Sequence, residues 1–231
     1  MPDNPRQNIT FKSNGRQAHG YLKKPAGGKG PGLIVIQEWW GLDDHMVEIT
    51  DRFAQEGFVA LAPDLYGGKV AHSADDASKY LTELPAEEAA KDLAGAIDYL
   101  LNDSDVTSKK VGTVGFCMGG GFVLQMAAQQ GERVAAAVPF YGVGPGVPES
   151  YTSVSADIQG HYGEKDAMYP VEQAKEQEAK IKKESKGSVE FFYYPAGHAF
   201  LNDKNPMGTY DAEQAKLAWG RTVEFLKSHL S

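Results

Sequence analysis

Two short runs, VGTVGF at 111–116 and AAAVPFYG at 135–142, lack the alternation of apolar and polar residues that a half-exposed strand shows. Strands of this kind are covered on both faces, which a sheet achieves when helices flank it on each side. The rest of the chain keeps the same rhythm. Strand-like runs over 20–23, 32–37, 58–62, 110–116, 135–141, 156–162 and 189–194 are separated by helical patterns over 44–56, 86–102, 118–130, 171–183 and 211–230. The expectation is an α/β chain with a mostly parallel central sheet and helices on both faces. Functional side chains in such a sheet belong on loops beyond the strands' carboxyl ends.

Glycine and proline mark loops at 25–31 (PAGGKGP) and 142–148 (GVGPGVP). Neither is long enough for a linker, and no repeat is visible, so the 231 residues read as one domain. The balance of 31 Asp and Glu against 23 Lys and Arg gives a formal net charge of −8. With no cationic run to oppose phosphates, a nucleic-acid partner is excluded from the reading. The stretch 1–12 is polar and lacks the apolar core of a secretory signal. The apolar stretches at 32–36 and 134–140 are too short to span a bilayer. A single cysteine allows no internal disulfide. The expectation is a cytoplasmic protein with a small-molecule partner, no cofactor and no membrane partner.

Residues 115–119 read Gly-Phe-Cys-Met-Gly, at the junction of the strand VGTVGF and a helix beginning MGGGFVLQMAAQ. This is the G-x-nucleophile-x-G elbow, with cysteine in the serine position. Such an elbow holds the nucleophile on a strained turn, and Gly115 and Gly119 let strand and helix approach closely. Cys117 would face the positive end of a helix dipole, and the Met118 N–H would point at a developing oxyanion. A lone cysteine is often only a small buried hydrophobe. Its place at the centre of a strand–elbow–helix junction favours the catalytic reading.

In this arrangement the nucleophile is followed in the chain by an acid and then a histidine. Asp166 follows the strand at 156–162 through a Gly-Glu-Lys turn, and His198 follows VEFFYY through Pro-Ala-Gly. His198 would take the thiol proton and later protonate the leaving oxygen, with Asp166 fixing its tautomer. Glu164 and Asp157 are the alternative acids; Asp157 begins its strand and so falls at the wrong end of the sheet. His161, inside an apolar strand, reads as a core or supporting histidine. His19, His45, His72 and His229 lack the post-strand placement and are assigned surface roles. No two histidines share metal-site spacing, so no metal is expected.

The chain resembles the dienelactone hydrolase family of cysteine-triad α/β-hydrolases. The resemblance runs through IVIQEWWGL at 34–42, APDLYG at 62–67, the elbow GFCMGG, the turn GEKD and the loop PAGHAF. It implies an α/β-hydrolase fold and hydrolysis of activated carboxylic esters or lactones through a thioester. It also implies that Glu38 lies beside the thiol and takes part in its activation, and that the Trp39 N–H joins Met118 in the oxyanion hole. Trp40, Lys69, His72 and Phe200 are the candidate substrate-pocket residues. The family's lactonases hold an anionic lactone with arginines after D-L-Y and just after the histidine. Here those loops read GGKVAH and AFLNDKN, and the lysines they offer, Lys69 and Lys204, lack the planar donor fork. Two further readings stand beside this one. One is a broad esterase that also takes aryl esters or phosphotriesters. The other is a non-catalytic protein that binds small ligands or senses oxidants through its thiol.

Overall fold

The computed structural model describes residues 4–144 and 146–230; the start of the polar N-terminal stretch, Pro145 of the GVGPGVP loop and Ser231 lie outside it. Eight strands form one sheet in the order β1-β2-β4-β3-β5-β6-β7-β8. They are β1 (Ile9–Ser13), β2 (Arg16–Lys23), β3 (Gly32–Ile36), β4 (Val59–Pro63), β5 (Val111–Phe116), β6 (Val134–Phe140), β7 (Asp157–Gly163) and β8 (Val189–Tyr194). Every pairing from β4 through β3 and on to β8 is parallel; the β1–β2 and β2–β4 pairings are antiparallel. The expected fold is therefore present, with an antiparallel edge added.

That edge departs from the sequence reading, which placed no strand before residue 20. Asn14 and Gly15 both adopt positive φ, 44° and 82°, and make the two-residue turn that suits the twist of a hairpin. The outward residues Arg16 and Gln17 are exposed, which hides the strand from a hydrophobicity pattern.

Helices α1 (Asp44–Gln55) and α6 (Ala212–Leu230) cover one face, while α3 (Ala86–Asn102), α4 (Met118–Gln130) and α5 (Val171–Glu184) cover the other. Strand β3 serves both layers. Leu33 and Val35 join Met46, Phe53 and Leu226, whereas Ile34 and Ile36 join Leu93, Ile97 and Val123. Its five residues are all buried, as an unalternated run requires. Each buried aliphatic or aromatic side chain of this kind contributes about 1.5–3 kcal/mol. The short helix α2 (Ala74–Glu83) has no counterpart among the expected helices, and its composition explains why. It buries only Ala77 and starts at a side-chain cap, Ser73 accepting from the Asp76 N–H.

Candidate active site

Cys117 occupies the single position between β5 and α4, with φ 55° and ψ −118°. A side chain in this region costs of order 1–3 kcal/mol, so the surroundings must hold it there. The Cys117 N–H donates to the Phe140 carbonyl at 3.1 Å, and its own carbonyl accepts from the N–H groups of Gly120 at 2.9 Å and Val143 at 3.1 Å. Close packing makes the flanking glycines obligatory. A Cβ on Gly119 would lie 2.5 Å from the carbonyl oxygens of Ile36 and Gln37, and one on Gly115 would collide with the Gly119 carbonyl. The thiol stands at the N-terminal end of α4, where the helix dipole favours negative charge. Among the described residues, neither the Trp39 nor the Met118 N–H has a protein acceptor.

The loops after β7 and β8 bring in Asp166 and His198. They are tied together by the Glu164 N–H donating to Tyr194 at 2.7 Å and the Lys165 N–H donating to Ala196 at 3.0 Å. His198 Nδ1–H donates to Asp166 Oδ2 at 2.7 Å, while Asp166 Oδ1 accepts from the N–H groups of Met168 and Tyr169, both at 2.8 Å. Both side chains are almost wholly buried. Burial works against a charged imidazole here, but the Asp166 carboxylate and the Cys117 sulfur outweigh it, and His198 is pushed up to about 10. Its Nε2 is buried without a hydrogen-bond partner in the cleft that Cys117 also lines.

The rival acids lie elsewhere. Glu164 is exposed, and Asp157 sits at the start of β7, where it accepts from the Ser188 N–H at 2.6 Å. His161 is fully buried, with Nδ1 at 2.8 Å from the Tyr194 hydroxyl and Nε2 at 3.1 Å from both Gln159 and Thr222. His45 departs from its surface assignment. It lies in the first turn of α1 on the side facing the protein, 3% exposed, with Nδ1 3.5 Å from Asp203.

Glu38 follows β3 and is buried. Its Oε1 accepts from the Tyr141 hydroxyl at 3.3 Å and its Oε2 from the Asn202 amide at 2.7 Å. Burial raises its pKa, against the opposing pull of His45 and the Asn202 hydrogen bond. The sequence reading singled out neither Tyr141 nor Asn202. One signal was available: Tyr141 directly follows β6, at the carboxyl edge where the other site residues lie. Tyr66, after β4, adds a hydroxyl that donates to Met118 Sδ at 3.4 Å.

The cleft above the sulfur takes its polar groups from Glu38, Cys117 and His198, and its apolar walls from Trp39, Trp40, Met168, Ala199 and Met207. Three pocket candidates fall outside it. Phe200 is fully buried beneath the site, 5.1 Å from the Tyr194 ring centre and 5.7 Å from that of Tyr141. The cause is local: Ala199 has φ 56°, which turns the chain and sends the next side chain inward. Lys69 is exposed, 3.8 Å from Glu83 of α2 and above the Tyr80 ring. His72 is exposed on the same loop. Met168 and Met207, absent from the sequence reading, take their places. Among the described residues, no group of three or more His, Cys, Asp or Glu could hold a metal, and no helix is long and apolar enough to cross a membrane.

The model of the dienelactone hydrolase family matches residues 18–230. The chain is 37% identical to Protein usf of Aquifex pyrophilus, over 97% of this chain and 99% of that one. It is 33% identical to a putative carboxymethylenebutenolidase of Aquifex aeolicus, with the same coverage of 97% and 99%. A solved putative dienelactone hydrolase from Klebsiella pneumoniae superposes with a TM-score of 0.81 at 26% identity, covering 95% of this chain and 99% of that one. Full-length agreement in sequence and in fold leads to one conclusion: the chain belongs to the dienelactone hydrolase family and is an ester/lactone hydrolase.

Proposed function

We propose that the chain hydrolyses activated carboxylic esters or lactones through a Cys117–His198–Asp166 triad and a thioester intermediate. The observation that carries this is the buried His198–Asp166 pair on two tied loops, with the free His198 Nε2 in the same cleft as Cys117. In the proposed cycle His198 takes the Cys117 proton, and its pKa, pushed up to about 10, lets it hold that proton at neutral pH. The Cys117 sulfur attacks the ester carbonyl, forming an S–C bond, and the N–H groups of Trp39 and Met118 receive the oxyanion. On collapse the C–O bond breaks and the leaving oxygen takes the Nε2 proton. Water then enters; His198 takes one of its protons as the new C–O bond forms and the S–C bond breaks. The acid departs, and the proton on His198 is again paired with the sulfur.

Glu38 fits a supporting role as a proton store beside the thiol, because Tyr141 and Asn202 fix its two oxygens while burial favours its neutral form. A thiolate leaves more readily than an amine, so amide substrates revert at the tetrahedral stage, and esters with good leaving groups are favoured. Intact-mass measurement after mixing with a 4-nitrophenyl ester is expected to find one acyl group on Cys117, and Cys117→Ala is expected to abolish both adduct and turnover. Full hydrolysis by Cys117→Ala would overturn the proposal.

A further inference from the structure

The walls of the cleft carry a statement about substrate charge. Apart from Glu38, Cys117 and His198, they consist of two indoles, two thioethers and a methyl group, and among the described residues no lysine or arginine lines them. The cations on neighbouring loops are occupied elsewhere: Lys69 beside Glu83, and Lys204 2.6 Å from Glu48 on α1. Lys165, on the acid turn, is exposed and is not part of the lining. His198 is the one cationic group in the cleft, and its charge is already shared between Asp166 and the sulfur. A carboxylate on a substrate would be stripped of water against Trp39, Trp40, Met168 and Met207 and would gain no donor in exchange. An uncharged aryl or alkyl group escapes that cost.

The cleft is also narrow, with a volume of about 10 Å³, room for a single water molecule. A substrate enters only if wall side chains move. Met168 is 47% exposed and Met207 is half-buried, and both are unbranched, with three side-chain torsions to rearrange. The tryptophans stand edge to face at 5.1 Å and form the stiffer wall.

We infer that this site selects uncharged esters with apolar or aromatic substituents and rejects carboxylate-bearing ones, with Met168 and Met207 as the adaptable walls that set this specificity. The inference rests on the reading of Cys117 as the acylated thiol, and the experiment keeps the two apart. The full chain is assayed with 4-nitrophenyl hexanoate and mono-4-nitrophenyl adipate, which share leaving group and acyl length and differ by one terminal carboxylate. Acylation of Cys117 is followed by mass alongside nitrophenolate release. The neutral ester is expected to be preferred in kcat/KM by about 100-fold, the size of an unpartnered buried carboxylate after partial relaxation. Met168→Arg, which places a guanidinium at the exposed wall, is expected to narrow the ratio to about tenfold by raising turnover of the adipate ester. Equal kcat/KM for the two esters in the unaltered chain, with Cys117 acylated by both, would overturn the charge selection and leave the thioester mechanism standing. No adduct on Cys117 with either ester would remove both readings. Should Met168→Arg fail to fold, the ratio measured for the unaltered chain decides alone.

Discussion

Among the buried histidines, His161 and His198 lie at the carboxyl half of the sheet, and their surroundings treat them in opposite ways. His161 lies inside β7, stacked 4.4 Å from Phe140, and its hydrogen-bond partners are all uncharged: Tyr194, Gln159 and Thr222. Burial, with some help from the Arg221 charge, pushes it down to about 3, so it stays neutral. His198, beyond the end of β8, is equally shut off from solvent but meets the Asp166 carboxylate and the Cys117 sulfur, and is pushed up to about 10. Removal from water makes a histidine inert by default, and a negative partner on one ring nitrogen reverses that default. The floor of the site is therefore built from histidine as a rigid neutral ring, and the rim from the histidine that the proposed mechanism uses as its proton carrier.

Exchanging the two residues' fates would break this contrast most severely. His198→Gln is expected to lower kcat/KM by about 10³–10⁴-fold, the usual loss when the acid–base member of such a triad is removed. His161→Gln is expected to cost less than about threefold, because it offers no proton to the cleft. Steady-state rates with a 4-nitrophenyl ester check both, and comparable losses would erase the distinction between floor and rim.

Asp166→Asn probes the cause of the difference. In the proposed mechanism the leaving oxygen draws its proton from the His198 imidazolium, a form present below about 10 and lost above it, so the alkaline limb of kcat/KM is expected near that pH. Without the carboxylate, burial is left with less opposition, and the limb is expected to move towards neutral pH. A loss of about 10²–10³-fold in kcat/KM accompanies it. A pH–rate profile whose alkaline limb stays in place would assign the shift to something other than Asp166.

How much of this could be read from the chain depends on whether neighbours in space are also fixed by position along it. Cys117, Asp166 and His198 each follow a recognisable strand, and a parallel sheet brings strand ends to one edge, so their convergence follows from chain order. The partners of Glu38 do not. Tyr141 and Asn202 lie 103 and 164 residues away, and their contacts depend on the paths of two loops. Met168 and Met207 were hidden for the same reason. Phe200 shows the converse: a pocket candidate in the sequence, it lies in the core, past one residue at positive φ. The first hairpin was legible in principle through Asn14-Gly15, since that dipeptide carries its own turn geometry.

Asn202→Ala tests the rim at a point the sequence concealed. Loss of its 2.7 Å hydrogen bond leaves one oxygen of a buried carboxyl group unpartnered. A drop of about 10- to 100-fold in kcat/KM is expected, in line with the value of a buried hydrogen bond to an ionisable group. Asn202→Gln, which keeps the amide, is expected to recover part of it. An Asn202→Ala rate within twofold of the parent would show that Glu38 holds its place through Tyr141 alone.

The smallest effect concerns the floor and is read in stability rather than rate. His161 stays neutral in the folded protein down to about 3, whereas the unfolded chain takes up its proton near the ordinary value of about 6.5. Between those limits the unfolded state binds the extra proton, so the stabilisation is complete above about 6.5 and is lost as pH falls towards 3. The slope from this one group is at most about 1.4 kcal/mol per pH unit. His161→Gln is expected to lower the urea midpoint at pH 7, since glutamine cannot reproduce both ring contacts, and to flatten the decline between pH 6.5 and 4 by nearly one proton. An unchanged decline would mean that the His161 ring accepts its proton while folded, and would place its charge control nearer to that of His198 than the two environments imply.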